Sequence, residues 1–186
     1  MGSDVISANP VFYDCEATSL LGLPIEVGWA FIDNVTGQMH SEGHLVIPPF
    51  DLAAIWVVST EKVHGISIET LLSAGAPPIQ IAMRMNEALK ERELYSDAPE
   101  HDIPWMETVF RWAGVRPAFR LLRTNSLELT DALSKELGWH RASRLVREAD
   151  ISAPRTHRAE ADARHVATLW SVLTKATAET KKVRRR

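Results

Sequence analysis

Residues 11–20, VFYDCEATSL, read as a core strand that carries two acids. Val11, Phe12 and Tyr13 are residues that strands favour, and Asp14 and Glu16 then occupy alternate positions. Successive side chains on a strand point to opposite faces, so the two carboxylates share a face and must either repel each other or converge on a common partner. Cys15 lies between them on the other face and is read as a small buried hydrophobe.

Working outward, residues 10–16, 25–33 and 38–47 read as three strands, with DNVTG supplying the turn between the second and third. This predicts an opening β-meander. After PPFD the spacing becomes helical in DLAAIWVV (51–58), SIETLLSAG (67–75) and PPIQIAMRMNEALKER (77–92), the last with proline at its start. ELYSD (93–97) predicts a short buried strand, PEHDIPWMETVFRWAG (99–114) a helix that stops at Gly114, and AFRLL (118–122) a further strand. Helices are predicted over 126–137, 139–149 and about 158–178. Three strands followed by alternating helices and strands indicate an α/β domain with a mixed sheet.

The last helix holds a second anomaly. Its apolar stripe runs Ala159, Val166, Leu169, Leu173, Ala176, and the position that completes it, three after Ala159 and four before Val166, is Asp162. An isolated buried carboxylate is costly, so such a group is paired, protonated or bound to a cation, or is helped by the nearby helix start. His157 stands five residues earlier, at the predicted start of the helix.

Composition narrows the chemistry. The chain has 186 residues, 45% of them hydrophobic and 24% charged, which suits one globular domain and argues against disorder. We expect that domain to span residues 1–180, with KKVRRR (181–186) as a basic tail. The start, MGSDVISANP, lacks the basic and apolar regions of a signal peptide, and there is no apolar run long enough to span a membrane, so a cytoplasmic protein is expected. A lone cysteine excludes an intrachain disulfide and a multi-cysteine zinc site. The net charge of −3 conceals an asymmetry: residues 1–110 carry 4 Lys or Arg against 16 Asp or Glu, and residues 111–186 carry 17 against 8. An acidic, cation-binding centre beside a basic surface suits a polyanionic substrate, although the two halves can also simply pair across the molecule.

An Asp-x-Glu pair on a strand, a histidine and a core-facing helical Asp form the inventory of a two-metal phosphoryl-transfer site. That chemistry needs hard oxygen ligands for two divalent ions and a base of near-neutral pKa for the attacking water. In order along the chain, FYDCEAT (12–18), PIEVGWAFIDNVTG (24–37), TEKVHGIS (60–67) and HRAEAD (157–162) resemble the motifs of the DEDDh, or DnaQ-like, 3′-to-5′ exonucleases. YSDAPEHDIPWM (95–106) resembles the second acidic motif of a small exoribonuclease branch of that family, in which Ser-Asp-Ala-Pro precedes a later Asp.

The resemblance implies a ribonuclease H-like three-layer α/β fold with a mixed central sheet. It further implies Asp14, Glu16, Asp102 and Asp162 as ligands of two Mg²⁺ ions, with Mn²⁺ as a substitute, and His157 as the general base. Asp97 is the alternative to Asp102, and either acid can instead cap the helix that starts near Pro99. Ala17 and Thr18 stand where the family has a threonine that positions the terminal nucleotide, and His64 stands in the wall of the nucleotide pocket. The implied activity is hydrolysis of the terminal phosphodiester to nucleoside 5′-monophosphates, with RNA 3′ ends as the partner. A homodimer is common in the family. The competing readings are a DNA exonuclease of proofreading type, a catalytically silent nucleic-acid-binding protein, and a small-molecule phosphatase or nucleotidase.

Other residues invite weaker readings. His101 neighbours Asp102, but adjacent helical residues face about 100° apart and seldom reach one ion. Trp29, Trp56, Trp105, Trp112, Trp139 and Trp170 are expected in the core. Arg141, Arg144 and Arg147 recur every three residues, either along a phosphate backbone or on a solvated helix face.

Overall fold

The computed structural model describes residues 10–52, 56 and 58–184. Five strands form one mixed sheet in the order β3-β2-β1-β4-β5, from β1 (Val11–Ala17), β2 (Pro24–Ile32), β3 (Met39–Leu45), β4 (Glu93–Tyr95) and β5 (Arg120–Leu121). β1, β2 and β3 are the predicted antiparallel meander, and β4 and β5 join the other edge of β1 in parallel. Parallel strands need crossovers, and helices supply them. α1 (Val58–His64), α2 (Ile68–Ala74) and α3 (Pro78–Leu89) lead into β4, and α4 (Pro99–Ala113) leads into β5. α5 (Ser126–Leu137), α6 (Trp139–Ser152) and α7 (Ala159–Arg184) follow.

Alternation along β1 divides the core. Tyr13 and Cys15 join Val27, Trp29 and Phe31 of β2 against Ile81, Met85 and Leu89 of α3 and Met106, Val109 and Phe110 of α4. Phe12 faces the other way and, with Ala30 and Tyr95, packs on Ala163, Val166 and Ala167 of α7. Leu169, Leu173 and Ala176 continue along α7 to meet Leu145 and Ala149 of α6, with Leu133 and Leu137 of α5 packed against them. The result is three layers, with the meander's acidic face turned toward the N-terminal end of α7.

That face is built of small residues. Opposite Asp14 stands Gly28, opposite Phe12 stands Ala30, and the β3 partners of these two are Gly43 and Ser41. A Cβ added at Gly28 would fall on the backbone of Ala159 and Glu160, and one at Gly43 would lie 2.9 Å from the Glu160 Cβ. The first turn of α7 therefore sits directly on β2. Ser41 donates a 2.8 Å hydrogen bond to Glu160 and ties the helix to the outer strand.

Three details differ from expectation. α7 runs on to Arg184, so residues 181–184 of the supposed tail are helical, and Lys181 reaches Glu136 at 3.0 Å. Residues 185 and 186 lie outside the described residues, as do residues 53–55 and 57 of the predicted helix over 51–58. Only Trp29 among the six tryptophans is fully buried, and Trp139 is 79% exposed. Trp139 opens α6, directly after Gly138, and projects from the helix start. Among the described residues no helix is long and apolar enough to cross a membrane.

We predict that Gly28→Ala destabilises the protein by about 1–3 kcal/mol or more, because its methyl group meets backbone that cannot turn aside. Urea denaturation checks this. Gly37→Ala, whose added Cβ meets nothing within 4 Å, costs only the strain of its φ of 72°.

Candidate active site

Five carboxylates and one histidine converge where the ends of β1 and β4 meet the starts of α4 and α7. β1 aims Asp14 and Glu16 at α7, and Asp162 in the first turn of α7 returns toward them. Asp97 follows β4 in the loop, and Asp102 lies in the first turn of α4. One ligand atom from each of Glu16, His157 and Asp162 lies within 4.8 Å of the others, and the same holds for Asp14, Asp97 and Asp102. All five residues read from the sequence as catalytic are thus brought together, with Asp97 added to them.

Asp102 and Asp162 are buried, whereas Asp97 is half-buried. Neither Asp97 nor Asp102 caps α4, whose first residue follows Ala98 with no side-chain cap. The Ser96 hydroxyl donates to Asp102, and the Cys15 backbone N–H donates to it as well. Asp97 instead accepts a 2.5 Å hydrogen bond from Arg155, in the segment between α6 and α7.

Loss of solvent, reinforced by neighbouring acids, holds Asp14, Glu16 and Asp102 away from their ordinary ionisation. Asp14 is raised well above the usual carboxylate range, first by burial and then by Asp102 and Glu16. Burial, with Glu26 and Asp162 adding to it, pushes Glu16 up to about 7. Asp102 is pushed up to about 8 by burial, against the lowering effect of its bond from Ser96. So many oxygens of one sign, with Arg155 at Asp97 and the charge of Arg158 near Glu16 offsetting only part of the repulsion, form a donor set suited to a hard divalent cation.

The α7 end of the site depends on two groups absent from the sequence reading. Glu26, buried on β2 directly opposite Glu16, takes hydrogen bonds from Arg158 at 3.1, 3.0 and 2.6 Å and from the Ala159 backbone N–H at 2.9 Å. His157, just before Arg158, has φ of 54°, the left-handed region that costs a non-glycine residue about 1–2 kcal/mol. The chain is held there from both sides, since the Thr156 N–H donates to Asp162 at 2.8 Å. An acid inside the otherwise apolar run PIEVGWAF was the available signal for Glu26, the same signal that singled out Asp162.

Of the substrate-binding candidates, Ala17 and Thr18 follow Glu16 directly in the chain, and His64 ends α1. Ala17 is buried at the end of β1, next to an irregularity in the β1–β2 pairing. Thr18 is buried too, and its hydroxyl accepts the Leu23 N–H at 3.0 Å, which closes the β1–β2 loop. His64 is buried edge-on to Trp56, and its Nδ1 accepts the Ile66 N–H at 3.0 Å. Burial lowers its pKa. His101 stacks on Trp105 and belongs to neither acidic group. Arg141 bonds Thr180 and Glu179, and Arg144 lies 3.6 Å from Glu148, so these two are engaged within the helical layer.

The sequence model of the RNase T exonuclease family matches residues 11–170. No curated protein matches the chain by sequence. Among solved structures, E. coli exonuclease I in complex with a dT13 oligonucleotide superposes with a TM-score of 0.67 at 14% identity, over 94% of this chain and 43% of that one. The zinc-bound complex of E. coli exonuclease I with single-stranded DNA gives 0.64 at 15% identity, over 90% and 40%. Exonuclease X in complex with 5′-overhanging duplex DNA gives 0.58 at 17% identity, over 91% and 93%. At these identities the likeness is one of fold, and the chain spans about two fifths of the exonuclease I chains.

The raised acids carry a testable consequence for the metal-free protein. Unfolded carboxyls ionise near pH 4, but Glu16 and Asp102 do so only near 7 and 8 in the fold, so their contribution to stability is full below about pH 4 and is lost as pH rises through 7–8. Millimolar Mg²⁺ or Mn²⁺ is expected to raise the melting temperature more at pH 8 than at pH 5. Scanning calorimetry with EDTA and with metal at both pH values measures the difference.

Proposed function

The chain belongs to the DEDDh family of 3′-to-5′ exonucleases, and from that premise we propose that it shortens nucleic acid from the 3′ end, with RNA as the substrate. The observation that carries this reading is the convergence of Asp14, Glu16, Asp102, His157 and Asp162 from four separate elements. Without cations those carboxylates only destabilise the core, which argues against a silent binding protein. RNA rests on the Ser96-Asp97-Ala98-Pro99 run and its resemblance to an exoribonuclease branch. The similar solved structures hold DNA, so DNA belongs in the same assay.

In this reading Asp14, Glu16 and Asp162 would hold one divalent ion and Asp14 and Asp102 would help to hold a second, with Mg²⁺ as the natural occupant. When bound, the ions supply charge neutralisation at the scissile phosphate and activate the attacking water. His157, exposed at the rim beside Glu16 and Asp162, accepts the proton that water gives up. The new O–P bond forms in line with the bond that breaks, releasing a nucleoside 5′-monophosphate and leaving a fresh 3′-hydroxyl. Ala17 and Thr18 place the terminal nucleotide through the backbone, since their side chains are turned inward. Asp97 pairs with Arg155, whose partly exposed guanidinium would offer its charge to an approaching phosphate.

We expect a metal-dependent ladder shortening from the 3′ end of 5′-labelled oligonucleotides, lost in EDTA. Asp14→Asn and Asp102→Asn are each expected to reduce kcat by about 10²- to 10³-fold, and Asp97→Asn by less. The opposite order for the last two would transfer the ligand role to Asp97. A faster rate on DNA than on RNA would overturn the choice of sugar, and hydrolysis confined to mononucleotide esters would favour a phosphatase.

A further inference from the structure

We infer that the Glu26–Arg158 pair is the positioning device for His157, a latch that sets the catalytic histidine by fixing the start of α7; this rests on the exonuclease reading of the site. Three observations lead to it. Glu26 is only 3% exposed, yet it is an acid placed directly across β1–β2 from another acid, Glu16, on the face that α7 covers. Both carboxylate oxygens are taken: Arg158 Nε and Nη2 fork onto them, and the Ala159 N–H closes the set. The residue immediately before this fork is His157, held in the left-handed region at φ 54°.

The geometry divides the labour between the two partners. The Ala159 N–H is one of the orphan donors at a helix start, and Glu26 satisfies it with a formal charge that also suits the positive end of the helix. The bidentate fork of Arg158 fixes the plane of the guanidinium and with it the backbone at 158. With Arg158 and Ala159 anchored to β2 and the Thr156 N–H anchored to Asp162, the chain between them has one way to turn, and His157 is left at the rim beside Glu16 and Asp162. The charge of Arg158, paired with Glu26, also acts on Glu16 and offsets part of the repulsion between these two opposed acids. Glu26 belongs to neither acidic group, and its influence reaches the reaction through His157.

A lysine at 158 would keep the charge but lose the fork. A glutamine at 26 would keep the shape and an acceptor for the Ala159 N–H but lose the charge that holds the guanidinium. These two variants separate positioning from folding.

The test is a double-mutant cycle in the exonuclease assay, joined to a measurement that does not depend on activity. Glu26→Gln and Arg158→Lys are each expected to lower kcat at least 10-fold with KM changed less than 2-fold, and melting temperatures will show that both variants fold. In a His157→Ala background the same substitutions are expected to cost less than 2-fold, because the group they position is gone. Losses that multiply in that background would overturn the proposal. Independently, the ¹⁵N backbone order parameters of His157 and Ala159 are expected to be near 0.85 in the parent protein and below about 0.6 in Glu26→Gln. Unchanged order parameters would also overturn it. An inactive parent protein that shows this loss of order would sink the exonuclease reading while leaving the latch in place.

Discussion

The first turn of α7 lies on β2 with no side chain between them, and the site depends on that contact. Gly28 is the residue that permits it. Any Cβ there would strike the backbone of Ala159 and Glu160 and lift the helix from the sheet. Lifted, the helix would carry Asp162 away from Asp14 and Glu16, and the Arg158 fork would no longer reach Glu26. The small residues around it, Ala30, Ser41 and Gly43, extend the same flat seat along the strands. A steric condition on β2 thus becomes an electrostatic condition at the end of β1.

The second condition concerns charge. Asp14, Glu16, Asp97, Asp102 and Asp162 come from elements far apart in sequence, and the fold brings their oxygens together in a space with little water. The chain answers part of that repulsion itself: Ser96 and the Cys15 N–H donate to Asp102, Arg155 pairs with Asp97, and Arg158 pairs with Glu26 while its charge acts on Glu16. Both arginines belong to the segment that also carries His157: the basic second half of the chain reaches the acidic first half there, and each arginine serves a specific acid.

Much of this was legible in the sequence, because both anomalies break a strong period. Asp14 and Glu16 interrupt the two-residue alternation of a core strand, and Asp162 interrupts the helical stripe through Ala159, Val166 and Leu169; each break marks a group that packing alone does not explain. The meander, the crossover helices and the Gly114 stop follow from local spacing, and the αL conformation at Gly114 is the one a helix end requires. What escaped lies in pairings between distant segments. Glu26 breaks its strand's pattern as plainly as Asp14 does, but its partner 132 positions away gives no local sign. Gly28 reads as an ordinary strand glycine until α7 is seen above it. Tryptophan content misled, because size favours burial only where a residue lies on an inward face, and Trp139 stands at a helix start with nothing packed over it. The basic tail showed only its charge in the sequence, whereas in the fold α7 continues as far as Arg184 and Lys181 finds Glu136.

The central claim, that the converging carboxylates hold divalent ions, is tested most directly by anomalous diffraction from crystals of the protein grown with Mn²⁺. The account predicts manganese peaks within coordination distance of Asp14, with Glu16 and Asp162 as further ligands of one ion and Asp102 beside the other. No peak at millimolar Mn²⁺, with the carboxyls protonated and bonded to one another, would contradict it.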